Sequence, residues 1–148
     1  MSNESQVKTQ SLKVVFDTNV YISAFLKSGF SRELFNFALS GKIGLSISQE
    51  ILEELKEKLS KKFKVSDSDI ELFIRTILQI AKLVSPSQKL KIIKNDPKDN
   101  IVLECAQEAR ANLIVSSDRH LLKLKRYQRI GIVHPKTLSW IIPDIFGK

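Results

Sequence analysis

The sequence is poor in the residues that staple or divide small proteins. One cysteine, Cys105, among 148 residues excludes an internal disulfide framework and suits a reducing, cytoplasmic setting. Cys105 falls within an apolar helical pattern with no paired histidine, so it reads as a small core residue rather than a nucleophile. Glycine and proline are sparse, at five and four. No Gly/Ser linker, repeat or low-complexity tract interrupts the chain. Residues 12–148 are therefore expected to form one domain, behind a loose polar leader, MSNESQVKTQS, at residues 1–11. That leader lacks the apolar segment of a signal peptide. No apolar run approaches the roughly 18 residues that would argue for a membrane helix. A cytoplasmic protein without membrane contact is the expectation.

Acidic residues are also in the minority, 16 against 24 lysines and arginines, for a net charge of +8 and a pI near 9.6. Such a surplus favours a polyanionic partner, although solvated lysine-rich faces can produce it too. The basic residues gather in KEKLSKKFK (Lys56–Lys64) and RHLLKLKRYQR (Arg119–Arg129). In the second segment Lys123, Lys125, Arg126 and Arg129 are the candidate RNA contacts.

What is present is apolar and periodic, with 43% hydrophobic residues, enough for a core at this length. Short β-rich runs occur at Lys13–Phe16, Ile43–Ile47, Leu113–Ser116 and Ile130–Val133. Helical periodicity fills Ser31–Ser40, Gln49–Phe63, Asp67–Lys82, Asp99–Asn112 and a short stretch at Arg119–Lys125. The segment Leu83–Lys94, with its LKIIK, reads as either a strand or an extended connection. Alternating strands and helices predict an α/β fold of three layers, α/β/α, around a mainly parallel sheet.

In such a sheet the strand C-termini and helix N-termini share one edge, where ligand sites form. The scarce acidic residues converge there. Asp17 ends the first strand, Asp118 follows LIVS, and Asp96 and Asp99 open a helix in NDPKDN. A helix bearing Glu50, Glu53, Glu54 and Glu57 follows the second strand. Its buried stripe is Ile51, Leu52, Leu55 and Leu59. At about 100° per residue, Glu54 lies roughly 115° from the stripe's centre and the other glutamates about 145° or more. Glu54 is thus the acid nearest the core boundary, with Glu53 the adjacent alternative.

Each acid has a purely structural reading. Asp96 as N-cap, Pro97 at the first helical position and Asp99 at the third make a sound helix start. Asp118 fits a turn. Asp17 is the exception, because a carboxylate between a buried strand and NVYISAFL needs a partner or a metal. Several carboxylates at one edge repel unless their pKa values rise or divalent cations bind. Oxygen ligands suit Mg2+ or Mn2+, and one or two such ions at an acidic site on a basic protein suit phosphodiester cleavage.

FDTNVYIS, SISQEILEELKEKL and NDPKDNIVLECAQEARANLIVSSDRHLL together resemble the PIN domain in order and spacing, from Leu12 to about Trp140. The similarity is to prokaryotic toxins of toxin–antitoxin pairs, related to VapC. The resemblance implies a catalytic and metal-binding set of Asp17, Glu54, Asp99 and Asp118, with Asn19, Asp96 and Ser116 as accessory residues. It also implies a Mg2+- or Mn2+-dependent ribonuclease acting on single strands, a homodimer, and a small antitoxin partner. Ser117 departs from the glycine common at that position. Two rivals remain open: an RNA- or partner-binding module with a vestigial acidic site, and a phosphatase with Asp17 as nucleophile. The phosphatase reading is weakened by Asn19, where such enzymes usually carry a second aspartate. His120, His134, Trp140 and Phe146 read as surface or packing residues.

Overall fold

The most decisive local segment is LKVVF. It forms strand β1, Leu12–Phe16, whose last three residues are fully buried, as a central strand covered on both faces requires. The computed structural model describes residues 12–87 and 97–145, apart from the side chains of residues 97–99 and 143–145. The proposed leader, LKIIK, Asp96, Phe146 and the side chain of Asp99 therefore lie outside the described residues.

From β1 the chain runs through helices α1 (Thr18–Leu26) and α2 (Phe30–Leu39) into strand β2 (Ile43–Ser48). Helix α3 (Gln49–Glu57) continues as a π-helical turn at Lys58–Lys62, followed by α4 (Asp67–Ile80) and strand β3 (Ala81–Val84). Helix α5 (Pro97–Ala109), strand β4 (Leu113–Val115), helix α6 (Arg119–Leu124), strands β5 (Arg126–Tyr127) and β6 (Ile130–Val133), and helix α7 (Pro135–Ile145) complete the order. Among the described residues six strands form one sheet in the order β3-β2-β1-β4-β6-β5. Every pairing is parallel except β5 with β6.

This is the expected α/β arrangement, a mostly parallel sheet flanked by helices. The chain moves outward from β1 to β2 and β3, then returns to the other side of β1 with β4. Strand order reverses between β1 and β4, opening the crevice where α/β sheets bind ligands. The predicted stripe of α3 is buried, with Ile51, Leu52, Leu55 and Leu59 at 2% exposure or less. Aromatic edges tie the helical layer to the sheet: Tyr21 packs against Phe16 and Phe35 at 5.4 and 6.4 Å between centroids. Phe73 packs against Phe35 and Phe25 at 5.5 and 4.8 Å.

Several elements differ from the sequence reading, among them β5 and α7, at which neither a strand nor a helix was expected. The helix expected to run unbroken from Gln49 to Phe63 changes to π geometry at Lys58. The helix expected to reach Lys82 stops at Ile80, because Ala81–Val84 pairs with β2 and completes that edge of the sheet. Helix α1 was not among the expected helices, since its apolar residues lack a one-sided period. Thr18, Val20, Tyr21, Ile22 and Ala24 are all buried, on more than one side of the helix.

Candidate active site

Asp17 occupies the crevice at the C-terminal end of β1. Its backbone is extended, φ −61° and ψ 153°, and it stands at the N-cap position of α1 without its side chain capping the helix. Its N–H donates to the Val115 carbonyl at 2.9 Å, continuing the β1–β4 pairing past the strand end. The carboxyl group is left facing the crevice and is only 6% exposed. Ser116, fully buried at the end of β4, donates its hydroxyl to Asp17 Oδ2 at 2.7 Å. The same Ser116 oxygen accepts the Asp118 N–H at 2.9 Å. One hydroxyl thus links the two aspartates, although Ser116 and Asp17 are 99 residues apart in sequence.

Asp118 has a structural task as well. Its Oδ1 accepts from the N–H groups of His120 and Leu121 at 2.7 and 3.4 Å, capping α6. A cap of this kind uses one carboxylate oxygen and leaves the other for the crevice. His120 Nδ1 stands 3.9 Å from Asp118 Oδ1 on an exposed side chain.

Glu54 comes to the site from α3. Its Oε1 accepts from the Thr18 hydroxyl at 2.8 Å, and Thr18 is 1% exposed. Its Oε2 lies 3.5 Å from the Lys58 ammonium, which also donates to Asn19 Oδ1 at 3.4 Å. Glu53 points elsewhere, accepting from Gln49 Nε2 at 3.3 Å on an exposed face. Of the two adjacent glutamates, only Glu54 is drawn to the segment that follows β1. Lys58 and Thr18 were not singled out from the sequence. Thr18 is inside the D-T-N triplet, and Lys58 is one helical turn beyond Glu54, a spacing that favours ion pairs.

Electrostatics agree with this convergence. Burial, the largest cause, pushes the Asp17 carboxyl above its ordinary value, and the Asp118 and Glu54 charges add to the effect. Hydrogen bonds from Ser116 and the Thr18 backbone oppose the rise. A buried acid with two anionic neighbours is the environment a hard divalent cation stabilises, and every donor is an oxygen. Among the described residues, no three acidic, histidine or cysteine side chains are close enough to hold such an ion as they stand. Lys58 instead neutralises Glu54. The oxygen donors that Asp17 and Asp118 bring together fit a divalent cation in chemistry.

Helix α5 begins at Pro97, so the backbone of Asp99 belongs to the first turn of that helix. Further along α5, Asn100 and Glu104 are buried polar residues that the sequence did not mark. Cys105 is fully buried, and burial raises its thiol pKa to about 12, consistent with its reading as core. The basic segment is exposed at Lys123, Lys125, Arg126 and Arg129. Arg126 pairs with Gly131 at the start of β6, and Arg129 borders a cavity with Arg110 and Asn112. These two arginines sit at the sheet edge opposite Asp17. Trp140 remains 62% exposed, edge-on to Phe30 at 6.4 Å with the Lys136 ammonium 5.0 Å from its ring centre.

A mostly parallel α/β sheet with acids gathered at its switch point defines the class of protein. The chain matches the PIN domain model over residues 13–120 and belongs to the PIN domain family. An uncharacterized protein of Methanocaldococcus jannaschii is 28% identical over 134 residues, 84% of each chain. Among solved structures, the fold is similar to a chain in the crystal structure of VapBC2 from Rickettsia felis bound to a DNA fragment from their promoter. That likeness has a TM-score of 0.57 at 18% identity and covers 83% of this chain and 98% of the other.

Proposed function

We propose that this protein is a Mg2+- or Mn2+-dependent endoribonuclease acting on single-stranded RNA, and the toxin of a toxin–antitoxin pair. One observation carries the proposal: the buried Asp17 carboxyl at the β1–β4 crevice, linked through Ser116 to Asp118 and approached by Glu54. PIN domains are generally nucleases, which supports the reaction class. The VapBC2 likeness supports a small antitoxin protein as partner, and a homodimer is part of the same reading.

In this reading Asp17, Asp118 and Asp99 would hold the cation, and Glu54 would either join them or orient the attacking water. Ser116, Asn19 and Asp96 position the acids. When bound, such an ion would supply activation of water at neutral pH and offset of charge at the phosphate. Water adds to phosphorus, the bond to the 3′ oxygen breaks, and that oxygen takes a proton. The products are a 5′-phosphate and a 3′-hydroxyl. The basic segment Lys123, Lys125, Arg126 and Arg129 acts as an accessory electrostatic surface for the strand.

The test is gel-based cleavage of single-stranded RNA in Mn2+ and in EDTA, for wild type, Asp17→Asn and Asp99→Asn. Cleavage that needs Mn2+ and is lost in both variants is the expected result. Wild-type cleavage by Asp99→Asn would return that residue to a helix-start role, where its loss costs about 1 kcal/mol or less of stability. The rival binding module predicts RNA retention without cleavage. A phosphatase would release phosphate from monoesters and leave RNA intact.

A further inference from the structure

Next to the acidic crevice lies a cavity of about 400 Å3 that none of the proposed catalytic residues lines. Its wall includes Ser23, Lys27, Ser28, Ser31, Ser117 and His134. Ser117 separates Ser116 from Asp118 in sequence, so cavity and crevice are neighbours along one sheet edge. The chemistry changes sign between them. The crevice gathers carboxylates, whereas no acidic residue among the described residues borders the cavity.

Two further features make the cavity suited to an anion. The first residues of α2 (Phe30, Ser31) and of α7 (Pro135) both border it. Gly29 precedes α2 with φ 144°, a conformation that favours glycine, and no side chain caps the helix start. Its first N–H groups therefore remain available as donors. His134 accepts the Lys136 N–H on Nδ1 at 3.0 Å. A neutral imidazole so engaged carries its proton on Nε2 and presents a donor. Lys27 is exposed and has no acidic partner among the described residues.

We propose that this cavity binds a backbone phosphate of the RNA strand, flanking the phosphate that meets Asp17. The proposal rests on the ribonuclease reading. Lys27 supplies the charge, and the serine hydroxyls and the α2 N-terminus supply the hydrogen bonds. A strand seated in both places would present one phosphate to the carboxylate crevice while its neighbour is fixed by donors. That division positions the substrate without adding negative charge to the crowded acids.

The experiment measures binding of a short fluorescent single-stranded RNA in EDTA by anisotropy across a salt series. Lys27→Glu, Lys27→Arg and, as a charge-matched control on the opposite edge, Lys82→Glu are compared with wild type. Lys27→Glu should weaken binding by about tenfold or more and reduce the salt slope by about one. Lys27→Arg should stay within about twofold, as should Lys82→Glu. KM for Mn2+-dependent cleavage should rise for Lys27→Glu in step with the binding loss. Equal weakening by Lys27→Glu and Lys82→Glu overturns the phosphate site while leaving the nuclease reading intact. Wild-type protein that neither binds nor cuts RNA overturns both.

Discussion

The two edges of the sheet carry charge in opposite ways. At the C-terminal edge Asp17 is buried, tied to Ser116, and surrounded by Asp118 and Glu54. At the N-terminal edge Lys13, Lys82 and Arg110 border a larger cavity, about 540 Å3, and all three side chains are exposed. The cations at the N-terminal edge are hydrated, so their geometry costs little and constrains little. That cavity is also bordered by the end of α5, at Ala109 and Arg110, where the helix dipole disfavours an anion. A carboxyl held against its desolvation penalty is different, because only surrounding structure can keep it there.

The sharpest way to break this comparison is Asp17→Asn. Under the proposed reading, Mn2+-dependent RNA cleavage should fall by about a hundredfold or more, beyond the roughly 10- to 100-fold typical of residues that only orient metal ligands. Stability should move the other way. Because the folded-state pKa of Asp17 is raised, its stabilising contribution is present below the ordinary carboxylate value and is lost as pH rises through the raised one. Ionised Asp17 therefore costs stability at neutral pH. The amide removes that cost and can still accept from Ser116, so Tm in EDTA should rise. The gain should shrink as pH falls toward the ordinary carboxylate range. Wild type should gain more Tm from Mn2+ than the variant does. A lower Tm for Asp17→Asn in EDTA at neutral pH would contradict the account of the crevice.

Thr18→Val comes next. It keeps the buried volume and removes the hydroxyl that donates to Glu54. Cleavage should drop by about tenfold, in the range for residues that orient metal-holding groups. The apparent Mn2+ affinity, read from thermal shifts, should weaken in parallel. Unchanged values for both would mean that the Glu54 position does not matter to the site.

How much of this was open to sequence reading depends on whether a feature is local. Asp17, Asp118 and the α3 stripe were legible because strand ends and helical period are local properties. Glu54 emerged from helical arithmetic, yet the choice against Glu53 needed the Thr18 contact from another element. β3 was hidden for a similar reason. Ala81–Val84 continues an apolar helical pattern, and only pairing with β2 makes it a strand. Helix α1 was obscured by its own burial, since a helix covered on several sides has no polar stripe to reveal its period. The donor cavity was out of reach, because Lys27, Ser117 and His134 meet only in three dimensions.

Tyr21→Phe tests the interior behind the acids. The Tyr21 hydroxyl is fully buried and has no hydrogen-bond partner among the described residues. Removing an unsatisfied buried hydroxyl should stabilise the protein by about 1 kcal/mol, or about 2–4 °C in Tm. Cleavage should be unchanged. A clear loss of stability would show that the hydroxyl has a partner that matters.

The smallest effect is expected from Arg126→Gln combined with Arg129→Gln. Both side chains are exposed and belong to the edge away from Asp17. As part of an accessory surface they act on RNA through long-range attraction, which salt screens over about 8 Å at physiological ionic strength. RNA affinity at that ionic strength should fall by less than about threefold, with a larger loss only at low salt. Folding stability should stay within about 0.5 kcal/mol of wild type. The measurement is the anisotropy titration used for Lys27→Glu, at two salt concentrations. If the double substitution weakened binding as much as Lys27→Glu at both, the RNA path would run over the β5–β6 side of the sheet. The difference between the two edges would then concern catalysis alone, with binding shared between them.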